Sequence, residues 1–134
     1  MSCNCENCGG RITGLAHVGI FVKDIAVSKA FYTEKLGMEV THTANNGIEL
    51  AILQIGSMII ELVEKKDDPA REAGPIDHLA FAVEDIETLM CKLIEKGIKF
   101  NTDEVQTVPG IFGGIKNLWF DGPDGERLEF FEYL

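Results

Sequence analysis

Hydrophobic and polar positions repeat in two blocks along the chain. The blocks span residues 15–40 and 76–100, and they align when His17 is set on His78. The same alignment pairs further equivalent residues: Asp24 with Asp85, Ile25 with Ile86 and, to within one residue, Gly37 with Gly97. An internal repeat of this kind indicates two copies of one structural module.

Each block begins as a strand and continues as a helix. A short run rich in Val, Ile and Phe follows the first histidine, which is typical of a buried strand. Asp24 and Asp85 then lie where a helix needs an N-cap, because a carboxylate can accept hydrogen bonds from the free amides. Apolar residues recur at helical spacing over residues 86–94. Gly37 and Gly97 lie where a left-handed residue would end each helix.

Turn residues divide the remainder of each half into further strands. Asn46-Gly47 predicts a hairpin between residues 38–44 and 48–55, and Gly56-Ser57 separates the second of these strands from residues 58–64. In the second half the strong turn Gly122-Pro123-Asp124-Gly125 separates two predicted strands, residues 116–121 and 126–133. The glycine-rich residues 108–114 predict a loop before them.

Each half therefore predicts a βαβββ module, and the chain an α+β fold. We expect a single domain over residues 14–134, with modules at 14–65 and 75–134 joined by 66–74. Residues 1–13 predict a flexible tail. The tail contains Cys3, Cys5 and Cys8, whose thiolates could bind a soft metal, but no fourth Cys or His lies nearby to close a tetrahedral site.

Strand alternation places an unusual group of residues on one face of each module. His17 shares a face with Gly19, and His78 shares the equivalent face with Ala80 and Ala82. Such small residues leave room above the sheet beside each histidine.

The last strand of each half carries a carboxylate among apolar residues, and a carboxylate in that setting is costly unless it is paired or bound to a metal. Pseudo-twofold packing of the halves could bring four side chains to one point: His17, Glu61, His78 and Glu129. Two imidazoles and two carboxylates suit one divalent ion, and they do not choose among Ni, Co, Zn, Mn and Fe. His42 has no repeat partner, and we expect it at the surface. We expect Trp119 in the core.

Composition and charge exclude several classes of function. The net charge of −10 disfavours nucleic acid and anionic membranes as partners, because both need clustered Lys and Arg. No apolar run reaches the length of a membrane span, and the N-terminal residues lack the features of a secretory signal. We therefore expect a cytoplasmic protein. A disulfide framework is not expected, since the chain has 46% hydrophobic residues with which to build a core.

The sequence resembles the vicinal-oxygen-chelate superfamily, which includes glyoxalase I, methylmalonyl-CoA epimerase, extradiol dioxygenases, fosfomycin resistance enzymes and bleomycin-binding proteins. The resemblance runs from Gly14 to Leu134 and is carried by LAHVGIFVKDI, SKAFYTEKLGMEV, IDHLAFAVEDI and FDGPDGERLEFFE. It implies paired βαβββ modules whose curled mixed sheets surround a metal cleft. It also implies a homodimer, in which some members build each active site from both chains.

Among these families, bacterial glyoxalase I has the ligand pattern that this sequence resembles most closely. That family has His, Glu, His and Glu, which match His17, Glu61, His78 and Glu129. Dioxygenases and fosfomycin transferases lack the carboxylate at the position of Glu61, and epimerases usually have Gln there. The resemblance further implies that Glu129 is the catalytic base and that Glu61 could serve the opposite face of the substrate.

The resemblance departs from glutathione-using glyoxalases at two positions. Those enzymes carry Arg four residues after the first ligand and Asn four residues after the second, where this chain has Phe21 and Lys65. We therefore expect a metal-dependent lyase or isomerase that converts a hemithioacetal of a 2-oxoaldehyde to a 2-hydroxyacyl thioester, and the two departures argue against glutathione as its thiol. An epimerase acting on an acyl thioester is the alternative, with Glu49 as a candidate second acid or an exposed strand carboxylate. A thiol transferase, a dioxygenase and a ligand-binding resistance protein also stay open.

Overall fold

The computed structural model describes residues 10–11, 13–45, 47–67 and 74–134. The predictions made for Cys3, Cys5 and Cys8, and for most of the joining segment, lie outside the described residues. Within the described ranges, no helix is long and apolar enough to cross a membrane.

The first module contains one helix and four strands: β1 (Val18–Val22), α1 (Ile25–Ala30), β2 (Glu39–Asn45), β3 (Glu49–Ile55) and β4 (Met58–Glu64). Residues Phe31–Lys35 continue α1 as a wider, π-helical turn. The second module repeats the same order: β5 (Leu79–Ala82), α2 (Ile86–Glu95), β6 (Gln106–Val108), β7 (Ile115–Asp121) and β8 (Arg127–Tyr133). Val108 pairs with Ile115 at the end of β6, so the loop predicted at residues 108–114 begins one residue later.

The two sheets have the same topology. Their strand orders are β1-β4-β3-β2 and β5-β8-β7-β6. In each sheet the first and last strands of the module are parallel, and the other neighbours are antiparallel. This equivalence confirms the predicted pair of βαβββ modules and the α+β fold class.

Helix capping follows the prediction and adds to it. Asp24 accepts hydrogen bonds from the amides of Ala26 and Val27 at 3.0 and 3.3 Å, and Asp85 accepts one from Thr88 at 3.4 Å. Gly37 and Gly97 end the helices with φ of 80° and 87°, in the left-handed region that glycine adopts without strain.

A second carboxylate in each module also binds the start of its helix. Glu64, at the end of β4, accepts a hydrogen bond from the amide of Ile25 at 3.0 Å. Glu132, near the end of β8, accepts hydrogen bonds from the amides of Asp85 and Ile86 at 2.8 and 3.3 Å. The last strand of each module is therefore tied to the helix that precedes it, which fixes the face on which Glu61 and Glu129 lie.

Buried side chains from both modules form one hydrophobic core. Polar contacts join the modules as well: the Tyr32 hydroxyl donates to Glu126 Oε1 at 2.7 Å, and Ser28 Oγ and the amide of Lys23 donate to Asp124 at 3.4 and 3.2 Å. We call Tyr32 and Glu126 the module latch. A Cβ at Gly122 would meet the Glu126 carboxyl group, so only glycine leaves that side chain in place.

Candidate metal centre

Each module brings its own histidine and glutamate into contact. His17 lies directly before β1, and its Nε2 is 2.9 Å from Glu61 Oε2 on β4. His78 lies directly before β5, and its Nε2 is 3.3 Å from Glu129 Oε2 on β8. We call His17 with Glu61 the first half-site, and His78 with Glu129 the second half-site. The parallel pairing of the first and last strands places these residues side by side, and Gly19 and Ala80, opposite the two glutamates, leave space above them.

The two half-sites do not meet within one chain. Among the described residues, no group of three or more His, Cys, Asp or Glu side chains lies close enough to hold one metal ion. The structure therefore brings the predicted ligands together as two pairs. Their convergence on a single ion stays a prediction.

Asp77 and Arg127 hold the histidine of the second half-site. Asp77 Oδ2 accepts a hydrogen bond from His78 Nδ1 at 2.8 Å and one from Arg127 Nη1 at 3.1 Å. The hydrogen bond with His78 and the charge of Arg127 lower the pKa of Asp77 below its ordinary value, so this carboxylate is anionic at neutral pH. With Nδ1 so engaged, His78 presents Nε2 to Glu129.

Trp119 completes the contacts around His78. Its ring centroid is 4.7 Å from that of His78 in an edge-to-face arrangement, and the guanidinium of Arg127 lies 4.5 Å from it on another side. Trp119 is opposite Glu129 in the β7–β8 register. The prediction of a core role for Trp119 is therefore wrong: its neighbours Leu118 and Phe120 face the core, and Trp119 faces the site.

Asn117 holds the carboxylate of the second half-site. Its Nδ2 donates to Glu129 Oε1 at 2.9 Å, which leaves Oε2 directed at His78. Both residues are buried, and the Asn117 Oδ1 atom has no hydrogen-bond partner among the described residues. The sequence analysis missed this residue; the available signal was an amide that shares a strand face with the apolar residues Ile115 and Trp119.

The first half-site lacks both supports. The register position equivalent to Asn117 is Leu50, which lies opposite Val63 as Asn117 lies opposite Phe131. The residue before His17 is Ala16, where the second module has Asp77. The side chains of His17 and Glu61 are 47% and 23% exposed, whereas that of Glu129 is 6% exposed.

A family model decides what kind of protein this is. The model described as the Glyoxalase/Bleomycin resistance protein/Dioxygenase superfamily matches residues 14–130. The chain belongs to this superfamily.

Several superfamily relatives are similar over most of the chain. The protein YwbC of Bacillus subtilis is 37% identical, covering 87% of this chain and 94% of its own. The mitochondrial methylmalonyl-CoA epimerase of Bos taurus is 27% identical, covering 69% of this chain and 59% of its own.

Solved structures share the fold. A glyoxalase family protein from Enterococcus faecalis has a TM-score of 0.76 and 33% identity, and the match covers 90% of this chain and 98% of that one. The fosfomycin resistance protein FosX from Listeria monocytogenes, complexed with Mn(II), has a TM-score of 0.69 and 18% identity, and the match covers 90% and 92%. At that identity FosX shows the superfamily fold alone.

The two residues that depart from the glutathione-using pattern are in contact. Lys65 Nζ lies 4.5 Å from the ring centroid of Phe21, at the end of β1 and on the face of the first half-site. A cation over an aromatic face is an attractive contact. Phe21 and Lys65 therefore form one cation–π contact on the face of the first half-site.

Two other predicted residues take different faces of the first sheet. His42 is exposed on β2, as predicted, and it lies opposite Ile52, which is itself opposite Glu61. Glu49 lies on the same face of β3 as the buried residues Ala51 and Leu53, and this face is opposite to the one that carries Glu61. The interpretation of Glu49 as a second acid beside the metal is therefore wrong.

A cavity and an aromatic cluster border the second half-site. The cavity has a volume of about 710 Å³ and lies between β1 and the start of β5 and β8, with His78 and Arg127 in its lining. The cluster consists of Phe112, Phe131 and Tyr133, whose ring centroids are 5.0–6.0 Å apart. Glu129, Phe131 and Tyr133 share one face of β8, so an apolar surface continues from the carboxylate.

Proposed function

We propose that this superfamily member is a metal-dependent enzyme of the glyoxalase I type. It would convert a hemithioacetal of a 2-oxoaldehyde to a 2-hydroxyacyl thioester. The observation that carries the proposal is the pair of equivalent His–Glu contacts, one at the same register position in each module. Four such donors are the ligand set that glyoxalase I shares with this chain.

Each half-site places an imidazole nitrogen beside a carboxylate oxygen, and these donors would be the ones to hold a divalent ion. The Nε2–Oε2 separations are 2.9 Å in the first half-site and 3.3 Å in the second. The nitrogen and oxygen donors suit Ni, Co, Zn, Mn or Fe. The Mn(II) in FosX supports a divalent ion in this fold.

A single site with all four donors needs two chains in this arrangement. Within the described residues one chain keeps its half-sites apart. We therefore propose a homodimer in which the first half-site of one copy faces the second half-site of the other. Each dimer would then have two such sites, and each site would hold one ion with a His–Glu pair from either chain.

Each carboxylate has a distinct chemical task in this proposal. A bound divalent ion supplies positive charge that stabilises the enediolate formed when substrate loses a carbon-bound proton. Glu129 would remove that proton and return it to the neighbouring carbon, as general base and then general acid, while the hydroxyl proton passes from the first oxygen to the second. Glu61 would be a second carboxylate ligand of the ion, and it would be the candidate to act on a substrate of the other configuration.

The thiol part of the substrate would differ from glutathione. The Phe21 ring and the Lys65 ammonium group occupy the two positions that glutathione-using enzymes fill with Arg and Asn. Lys65 could pair with a carboxylate or phosphate of another thiol carrier, and Phe21 could contact its apolar portion.

An epimerase acting on an acyl thioester is the second candidate. The observation in its favour is the match to methylmalonyl-CoA epimerase, which covers 69% of this chain. Both reactions begin with removal of a proton next to a carbonyl group. They differ in whether the proton returns to the same carbon.

Metal analysis followed by a substrate screen tests the proposal. Protein purified without chelators should contain about one divalent ion per chain, and the double variant His17→Ala/His78→Ala should contain far less. The metal-loaded protein should isomerise methylglyoxal hemithioacetals of at least one non-glutathione thiol. Equal metal content in both proteins would refute the metal centre, and turnover of acyl-CoA substrates alone would favour the epimerase.

A further inference from the structure

The two half-sites are built differently although the modules are equivalent. In the second half-site every polar atom that is not directed at the site has a partner: His78 Nδ1 binds Asp77, and Glu129 Oε1 binds Asn117. In the first half-site, within the described ranges, neither His17 nor Glu61 has a hydrogen bond or ion pair beyond the contact between them. The difference lies in side chains that surround the ligands, and the ligands themselves are the same.

Preorganised ligands lose less conformational freedom when they bind an ion. Glu129 is buried and held by an amide, so its rotamer is fixed before any ion arrives. Asp77 holds His78 and is itself held by Arg127. Trp119 packs against the His78 ring and against the guanidinium of Arg127. Partners of this kind orient a ligating histidine and raise its basicity as a ligand.

The more exposed half-site has the opposite properties. The side chain of His17 is 47% exposed, and Leu50 and Ala16 offer it and Glu61 no hydrogen bond. These side chains therefore lose more conformational freedom when the ion binds than those of the second half-site do. A chelating substrate needs vacant positions on the ion, and loosely held ligands can yield them.

We propose that the half-sites have different tasks: the His78–Glu129 pair captures the metal ion, and the His17–Glu61 pair closes over it. Asp77 and Asn117 are the positioning residues that make the second half-site the capturing one. This inference rests on the proposed metal-dependent function, and it adds an order of binding and two residues outside the ligand set.

Titration of the dimeric apoprotein with Co²⁺ tests the inference. His78→Ala should weaken Co²⁺ binding at least about tenfold more than His17→Ala does. Asp77→Ala and Asn117→Leu should each weaken binding by about 10–100-fold, the usual effect of losing a partner of a metal ligand. Asp77→Asn should lose less Co²⁺ affinity than Asp77→Ala, because its amide oxygen can still accept the hydrogen bond from His78.

Matched controls separate positioning from stability. Asp103→Ala changes another exposed aspartate of the second module, and Leu50→Ala changes the register equivalent of Asn117; both should stay within about threefold of the wild-type affinity. Asp77 is exposed, so Asp77→Ala should change the unfolding free energy of the apoprotein only slightly, as the loss of a surface ion pair usually does, while Co²⁺ affinity falls. A general structural role would lower both.

Two outcomes would overturn the inference without touching the proposed function. One is equal loss of affinity in His17→Ala and His78→Ala. The other is wild-type affinity in both Asp77→Ala and Asn117→Leu. A wild-type protein that binds no Co²⁺ and no other divalent ion would instead refute the proposed function itself.

Discussion

Tyr32 of the first module donates a hydrogen bond of 2.7 Å to Glu126 of the second, and the tyrosine is completely buried. Burial raises the pKa of Tyr32 well above its ordinary value, and the negative charge of Glu126 raises it further. The hydroxyl therefore stays protonated and stays a donor. This contact, made at the start of β8, sets how one module sits against the other.

Removing the Tyr32 hydroxyl should destabilise the protein. Tyr32→Phe keeps the ring in the core but leaves Oε1 of the half-buried Glu126 carboxylate without its donor, while the Asp124 amide still donates to Oε2. Hydrogen bonds to charged groups contribute about 1.5–3 kcal/mol. We expect a loss of about 2 kcal/mol in the free energy of unfolding, measured in urea. Tyr133→Phe, at a residue that is 61% exposed, is the control and should change little. A loss below about 0.5 kcal/mol in Tyr32→Phe would mean that the latch contributes no net stability.

Glu126 should make stability depend on pH in a defined direction. Burial raises its pKa above the ordinary 4.5, although the hydrogen bond from Tyr32 opposes the shift. Since the folded state binds this proton more tightly than the unfolded state, the contribution is present below pH 4.5 and is lost as pH rises through the raised pKa.

The measurement compares the wild type with Glu126→Gln between about pH 4 and pH 7. The unfolding free energy of the wild type should fall relative to that of the variant as pH rises. Glu95→Gln, at an exposed position of α2, corrects for the loss of one negative charge. A difference that stays constant, or that grows in favour of the wild type, would contradict the prediction.

Proton exchange can identify the catalytic base. Glu129→Gln can still offer an oxygen to the ion but cannot accept a carbon-bound proton, so turnover should fall by about 10²–10⁴-fold while part of the metal is retained. Glu61→Gln should lose less turnover than Glu129→Gln. Deuterium incorporation at the substrate carbon is the readout for the wild type and both variants. Exchange that survives in Glu129→Gln and disappears in Glu61→Gln would reverse the assignment.

Mixing two inactive variants tests whether the site is shared between chains. His17→Ala damages the first half-site, and His78→Ala damages the second. If each site combines half-sites from two chains, a mixed dimer has one site with both histidines intact, and a statistical mixture should recover about a quarter of the wild-type turnover. If each chain builds its own site, the mixture should stay as inactive as its components. The two variants measured separately at the same total concentration are the controls.

The repeat made much of the fold predictable. Asp24, Asp85, Gly37 and Gly97 act as caps and stops because these effects depend on residues close together in the chain. The pairing of His17 with Glu61, and of His78 with Glu129, could also be predicted, since two independent copies of one unusual pattern reinforce each other.

Other features depend on contacts that local patterns do not contain. Trp119 lies in an apolar strand, and alternation alone does not say which face of that strand carries the site. The same ambiguity left two interpretations of Glu49 open, as a second acid or as an exposed strand carboxylate. The contact between Tyr32 and Glu126 joins residues 94 positions apart, and nothing near either residue indicates the other. How the modules pack therefore had to come from the structure.

The tight turn at Gly122 gives the latch a recognisable signature. Because a side chain at this position would displace the Glu126 carboxyl group, the latch needs three residues together: a tyrosine on the first helix, a glycine at the turn and a glutamate at the start of the last strand. Relatives that keep this triplet should pack their two modules as this chain does. Those that have lost the glycine are the members in which to look for a different position of the glutamate and a different packing of the two modules.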